Sequence, residues 1–320
     1  MISTEFIHYG SIASIVAFSA FAVSFGEAFA SISGLQALAR QPSARAEITR
    51  ANILGIALIE TAAAFSILIA ILLLGWTSRT PLPLPAIIAE CGICIAMVCT
   101  SSIIGIVAGL PVKAACDAIA RQPFFSQKII SFMVITLALL QTPLISALMI
   151  SLFIKIQMNF VTNVYDGMRL FASGIAIGLG SLGPCTGLAL CSEMAIVGVG
   201  INRKIFTKIL SFTLISGAII ETPIIFSLIV ALLLIFVITP LKPDAFVRAI
   251  GCISATCCIG IGTLGVGIGS GRVARAAAAQ IAKNPEEYSS IVRTSFFAQG
   301  LIETCVLYAT LIAFCLAFLS

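Results

Sequence analysis

Apolar residues run along this chain in long blocks, and short polar stretches separate them. The pattern predicts helices over about 8–39, 45–76, 86–119, 127–158, 167–200, 204–238, 245–282 and 288–318. Each block exceeds the roughly 20 residues that an α-helix needs to cross the hydrocarbon of a bilayer. The expected fold is therefore an all-α integral membrane protein with eight transmembrane helices.

The blocks repeat. Leu58-Ile59-Glu60-Thr61, Leu139-Leu140-Gln141-Thr142, Ile219-Ile220-Glu221-Thr222 and Leu301-Ile302-Glu303-Thr304 share one core, at steps of 81, 80 and 82 residues. Eighteen residues before the core stand Pro42, Pro123 and Pro285, in the stretches Ala39-Arg40-Gln41-Pro42, Ala120-Arg121-Gln122-Pro123 and Ala282-Lys283-Asn284-Pro285. The third repeat has only Ile201-Asn202-Arg203 there, a diverged turn. Self-similarity at a fixed period is the signature of a repeat architecture. Here each repeat reads as helix, polar turn, helix, which divides the chain into four hairpins: 1–80, 81–161, 162–241 and 242–320. Proline fixes its own backbone and biases the preceding residue away from helix, so it suits the turns. Pro81, Pro83 and Pro85 predict a stiff, non-helical first link.

Composition agrees: 60% of residues are hydrophobic and only 10% charged, too few polar groups to cover a water-soluble surface of this size. No cleavable signal is expected, because the first apolar block is too long for a signal core. Basic residues scattered over loops of an apolar chain exclude a nucleic-acid interface. Of the 18 basic residues, only Arg79, Lys155, Arg169, Lys242 and Arg248 lie away from the turns. The turns should thus face the cytoplasm, with both termini opposite. Most of the eleven cysteines sit in apolar blocks and read as small buried hydrophobes; Cys91 and Cys94 form a CxxC without a second pair, and His8 is the only histidine, so no metal site is expected.

The chemistry lies in Glu60, Glu221 and Glu303. With about fifteen helical residues between Pro42 and Glu60, the rise is roughly 22 Å, which sets the carboxyl near mid-bilayer. A charge there costs on the order of 2.5–3.5 kcal/mol. The residue should be neutral, paired or holding a cation, with a proton as default occupant. Gln141 is the repeat-two counterpart; its amide bonds like a protonated acid but exchanges no proton, so that repeat, with Thr142, is a degenerate, ion-silent site. Thr61, Thr222 and Thr304 each either donate to a carboxylate or bond back to their own helix. Pro223 frees the Ile219 carbonyl, which then accepts a proton or cation, or else marks a simple kink. Glycines 260, 262, 265, 267, 269 and 271, and 178, 180, 183 and 187, make the first helices of repeats four and three suited to close packing in lipid.

A glycine-rich helix, an Arg-Gln-Pro turn and a second helix with one mid-membrane carboxylate resemble the c subunit (proteolipid) of F-type rotary ATP synthases, four times over. The fused arrangement is shared with V-type and archaeal relatives. The resemblance implies a ring of copies in the lipid bilayer of a bacterial inner (plasma) membrane. Its carboxylates would load and unload ions at the stator a subunit, where an arginine opens each site in passing. The polar turns, namely Arg40, Gln41, Pro42, Arg121, Gln122, Pro123, Lys283, Asn284 and Pro285, would contact the central-shaft subunits of an ATPase head. No cofactor is implied beyond the transported ion, H+ or Na+. Sodium-binding relatives add a first-helix ligand thirty-three residues before the outer carboxylate. Those positions here are Glu27, Ala108, Leu188 and Ser270, so Glu27 and Ser270 are candidate site partners, while Leu188 offers no ligand. Glu193 is a weaker candidate; its alternative is a pair with a neighbouring polar group. The chain has no nucleotide motif and is expected to be a non-catalytic subunit. Two other classes fit less well: a proton-coupled secondary transporter built from parallel repeats, and a structural membrane oligomer.

Overall fold

The computed structural model describes residues 4–75, 83–236 and 245–319. The helices are α1 (Thr4–Arg40), α2 (Arg45–Leu74), α3 (Leu84–Val107), α4 (Gly109–Arg121), α5 (Ser126–Leu140), α6 (Thr142–Met158), α7 (Val164–Ile201), α8 (Phe206–Phe236), α9 (Ala245–Lys283) and α10 (Tyr288–Leu319). Among the described residues these make eight spans long and apolar enough to cross a membrane, with α3–α4 and α5–α6 each serving as one. The sequence predicts single helices over 86–119 and 127–158. Each is instead interrupted once, at Ala108 and at Gln141. Pro111 and Pro143 lie just beyond the breaks and lack the N–H that would bond Val107 and Leu139. Pro85 is also corrected: it lies inside α3, not in the link, while Pro83 is the extended residue before that helix. Pro81, Arg79 and Lys242 fall outside the described residues.

All four turns share one geometry. Gln41, Gln122, Asn202 and Asn284 have φ of −138°, −136°, −138° and −126°, and a single 3-10 turn follows each. In three of them proline opens that turn. In the third, Asn202 accepts a hydrogen bond from the Lys204 backbone N–H at 3.1 Å. The side-chain cap supplies locally what proline's fixed φ supplies elsewhere. The diverged sequence therefore keeps the shape.

The hairpins stand side by side in two layers. α1, α3–α4, α7 and α9 form one row, and α2, α5–α6, α8 and α10 the other. The first row is tighter because glycine meets backbone across it. A Cβ on Gly26 would strike the Gly105 carbonyl, one on Gly174 the Gly92 carbonyl, and one on Gly187 the Gly267 carbonyl. In lipid, where apolar burial gives helices little reason to associate, such close approach supplies the van der Waals contact that holds them.

Candidate functional site

Each carboxyl sits midway along a second-row helix, and two of the three are met by the preceding hairpin. Thr142 Oγ1 lies 2.8 Å from Glu221 Oε1, and Thr222 Oγ1 lies 2.5 Å from Glu303 Oε1. The threonine next to one repeat's core position thus serves the next repeat's acid. Helix geometry explains this: consecutive residues point about 100° apart, so Thr faces the neighbour while Glu faces back.

The same hydroxyls also bond their own helices. Thr142 Oγ1 donates to the Leu139 carbonyl at 2.9 Å, and Thr222 Oγ1 to the Ile219 carbonyl at 2.8 Å. These are the carbonyls that Pro143 and Pro223 leave without a backbone donor. The Ile219 oxygen that Pro223 frees accepts from Thr222. Thr61 and Thr304 bond Leu58 and Leu301 in the same way, both at 2.7 Å. Losing the hydroxyl at position 222 would strand a half-buried carbonyl. Thr222→Val should destabilise the protein by about 1–3 kcal/mol, and Thr222→Ser by far less. Thermal unfolding of the purified protein measures both, and equal effects would contradict this assignment.

Gln141 behaves differently. Its Nε2 donates to the Leu58 carbonyl at 3.1 Å, so the amide bonds backward to hairpin 1, and its Oε1 is buried without a partner. Glu60 is exposed and, among the described residues, receives no hydroxyl. It lies within electrostatic range of Glu27, itself half-buried. Ser270 is buried with its hydroxyl unpartnered, and Leu188 is buried. Glu193 pairs with Arg275 at 3.1 Å. An open cavity of about 290 Å³ flanks Glu303, lined by Thr222, Phe226, Thr304 and Leu307 among others.

The two ends of the row are complementary. Gly180, Gly183 and Gly187 of α7 receive Ser227 and α9. Gly262, Gly265 and Gly269 of α9 repeat that spacing, and nothing lies within 4 Å of a Cβ on Gly265. One edge thus offers Thr304 and a glycine face, and the other offers an unserved Glu60.

Sequence reading missed a buried hydrogen-bonded pair. His8 Nδ1 and Glu90 Oε2 are 2.7 Å apart at 1% and 0% exposure, joining α1 to α3 far from the turns. It also read Lys155 and Arg169 only as far-side charges. Lys155 Nζ donates to the Leu72 carbonyl, and Arg169 Nη1 to that of Leu234 at 2.9 Å, so each cation caps the last turn of a second-row helix.

Comparisons with known proteins point one way. The sequence model of the ATP synthase C-subunit family matches residues 11–73 and 253–316. The chain is 32% identical over 71 residues to an ATP synthase c subunit of Chloroflexus aurantiacus, covering 22% of this chain and 93% of the relative. It is 39% identical over 66 residues to an ATP synthase c subunit of Cereibacter sphaeroides, the one numbered 2, covering 21% and 80%. A chloroplastic ATP synthase c subunit of Emiliania huxleyi is 36% identical over 73 residues, covering 23% and 89%.

Proposed function

Since the chain belongs to the ATP synthase c-subunit family, we propose that it is a four-hairpin rotor subunit whose Glu60, Glu221 and Glu303 each carry one proton through the membrane. Family membership implies a ring of c subunits within the ATP synthase complex. Copies join head to tail: Thr304 of one meets Glu60 of the next, as Thr142 meets Glu221 within the chain. The stator a subunit and the central-shaft subunits are the other partners. The ring sits in a bacterial inner membrane with its turns facing the cytoplasm.

One observation carries the choice of proton. Thr142 and Thr222 each touch both a carbonyl and a carboxyl oxygen. A hydroxyl has one hydrogen, and a carbonyl can only accept. Thr222 Oγ1 lies within donating distance of both the Ile219 carbonyl and Glu303 Oε1; with its one hydrogen on the carbonyl, only a protonated acid can supply the hydrogen of the second contact. That arrangement supports a neutral, loaded carboxyl, the form that crosses lipid at least cost. A sodium site would need several oxygens, and Leu188 contributes none at Glu221.

Gln141 carries no proton, so each chain delivers three per turn from four hairpins. Fewer protons per turn demand a larger potential for synthesis, because each one supplies only about 2.3 kcal/mol per 100 mV. The arrangement favours ATP-driven pumping against a steep gradient. Reaction with dicyclohexylcarbodiimide tests the assignment. Glu60, Glu221 and Glu303 should be modified, sodium should not protect them, and ATP-driven acidification of membrane vesicles should stop. Protection by sodium at neutral pH would replace the proton with sodium, and labelling elsewhere with pumping intact would refute the site.

A further inference from the structure

The two open edges carry opposite charges at a place where the closed junctions carry none. Gly187 of α7 packs against Gly267 and Gly271 of α9, and Gly183 against Thr263 and Leu264. Leu190 lies seven residues, two turns, along that face from Gly183. The shift that sets Gly187 against residues 267 and 271 sets Leu190, three residues on, against Ser270 and Ala274. The repeats carry this pairing around the fold. Phe29 and Ala108 face each other between hairpins 1 and 2, Leu110 and Leu188 between 2 and 3, and Leu190 and Ser270 between 3 and 4. The first junction keeps this register, since a Cβ on Gly109, beside Ala108, would lie 3.3 Å from the Phe29 ring. Where hairpin 4 meets hairpin 1 of the next copy, the same places hold Arg272 and Glu27, with Ser31 in the place of Ala274.

Both charges are available. Arg272 is exposed and Glu27 half-buried, and among the described residues neither has an ion-pair partner. Arg275, one turn beyond Arg272, is already held by Glu193 at 3.1 Å. Gly265, two turns before Arg272 on the same face, is exposed with nothing within 4 Å of a Cβ, which marks that face as the open edge. A Cβ on Gly269 would lie 3.4 Å from Ile302, the neighbour of Glu303. Arg272 is three residues further on, so it stands only about 4–5 Å from the level of the carboxyls. An unpaired charge of either sign is costly at that depth.

We propose that Arg272 of one copy enters the Glu27–Glu60 site of the next and pairs with Glu27. The pair presupposes the ring of the rotor reading, and it completes a site that one chain leaves unfinished. Glu27 lies within electrostatic range of Glu60, so two carboxyls would otherwise compete for one occupant. With the guanidinium on Glu27, Glu60 is left as the exchangeable acid of its site. It then matches Glu221 and Glu303, whose first-helix places hold Leu188 and Ser270. The pair also fixes the order of joining. Two like edges brought together would set Arg272 against Arg272 or Glu27 against Glu27, which the charges forbid.

The test follows the ring in detergent, together with carbodiimide labelling of Glu27 read by peptide mass. Arg272→Gln and Glu27→Gln should each lower the ratio of rings to single chains at least about ten-fold at a fixed detergent concentration, because each leaves one charge alone. The double replacement should recover most of that loss, since it leaves neither charge. Dicyclohexylcarbodiimide reacts with protonated carboxyls. Glu27 should therefore stay unlabelled in the unaltered ring and become labelled in Arg272→Gln, where a proton takes the place of the guanidinium. A double replacement no better than the single ones, or equal labelling of Glu27 with and without Arg272, overturns the pair. Loss of bound anionic phospholipid from Arg272→Gln, with ring and labelling unchanged, overturns it in favour of a lipid headgroup. The rotor reading survives either failure if the unaltered protein still pumps and still labels at Glu60, Glu221 and Glu303. An unaltered chain that forms no ring overturns both.

Discussion

Glu221→Gln should reduce ATP-driven proton pumping about a hundred-fold. On the rotor reading proposed above, the substitution places two successive hairpins without a carboxyl before the stator, because Gln141 already lacks one. A stator arginine left unpaired at mid-membrane costs on the order of 2.5–3.5 kcal/mol, and as a barrier that is about two orders of magnitude in rate. The amide fits the site sterically, as Gln141 does, so the protein should still assemble. Acidification of inverted vesicles, with assembly checked on a native gel, gives the answer. Pumping within two-fold of the unaltered enzyme would mean that Glu221 carries nothing.

The second large effect concerns assembly. Gly267→Val should cost more than about 3 kcal/mol and strip the chain from membranes, because the new side chain would run into the Gly183 carbonyl carbon and the Pro184 nitrogen of α7. Backbone on both sides cannot rotate away as a side chain can. Gly300→Ala is the matched control. Nothing lies within 4 Å of a Cβ there, and the other hairpins already carry Ala57, Ala138 and Ala218 at that place. It should be neutral or stabilise by up to about 1 kcal/mol, since alanine is the better helix former. Expression level and thermal unfolding of the two variants compare directly, and equal behaviour would show that the α7–α9 contact is looser than described.

The spans were legible because lipid imposes a length and a composition on every one of them. The acids were legible because three of four repeats keep them at one step, where chance would not. What the sequence hid was direction across hairpins. Thr222 follows Glu221 in the chain, yet it serves Glu303, because one residue along a helix is about a third of a turn around it. The third turn looked degraded because its signal was proline, whereas Asn202 reaches the same backbone through its side chain. His8 and Glu90 were invisible for a different reason. They stand 82 residues apart on first-row helices, and no other repeat echoes them.

The covalent joining of four hairpins, with one open edge at each end, fixes how a wheel made only of this piece can vary. Its hairpins are added or removed in blocks of four and its carboxyl teeth in blocks of three, so its gear ratio moves in jumps, whereas a single-hairpin relative can be trimmed tooth by tooth. A change of habitat that asked for a slightly different ratio would be answered more readily by restoring or erasing an acid within the block than by resizing the wheel.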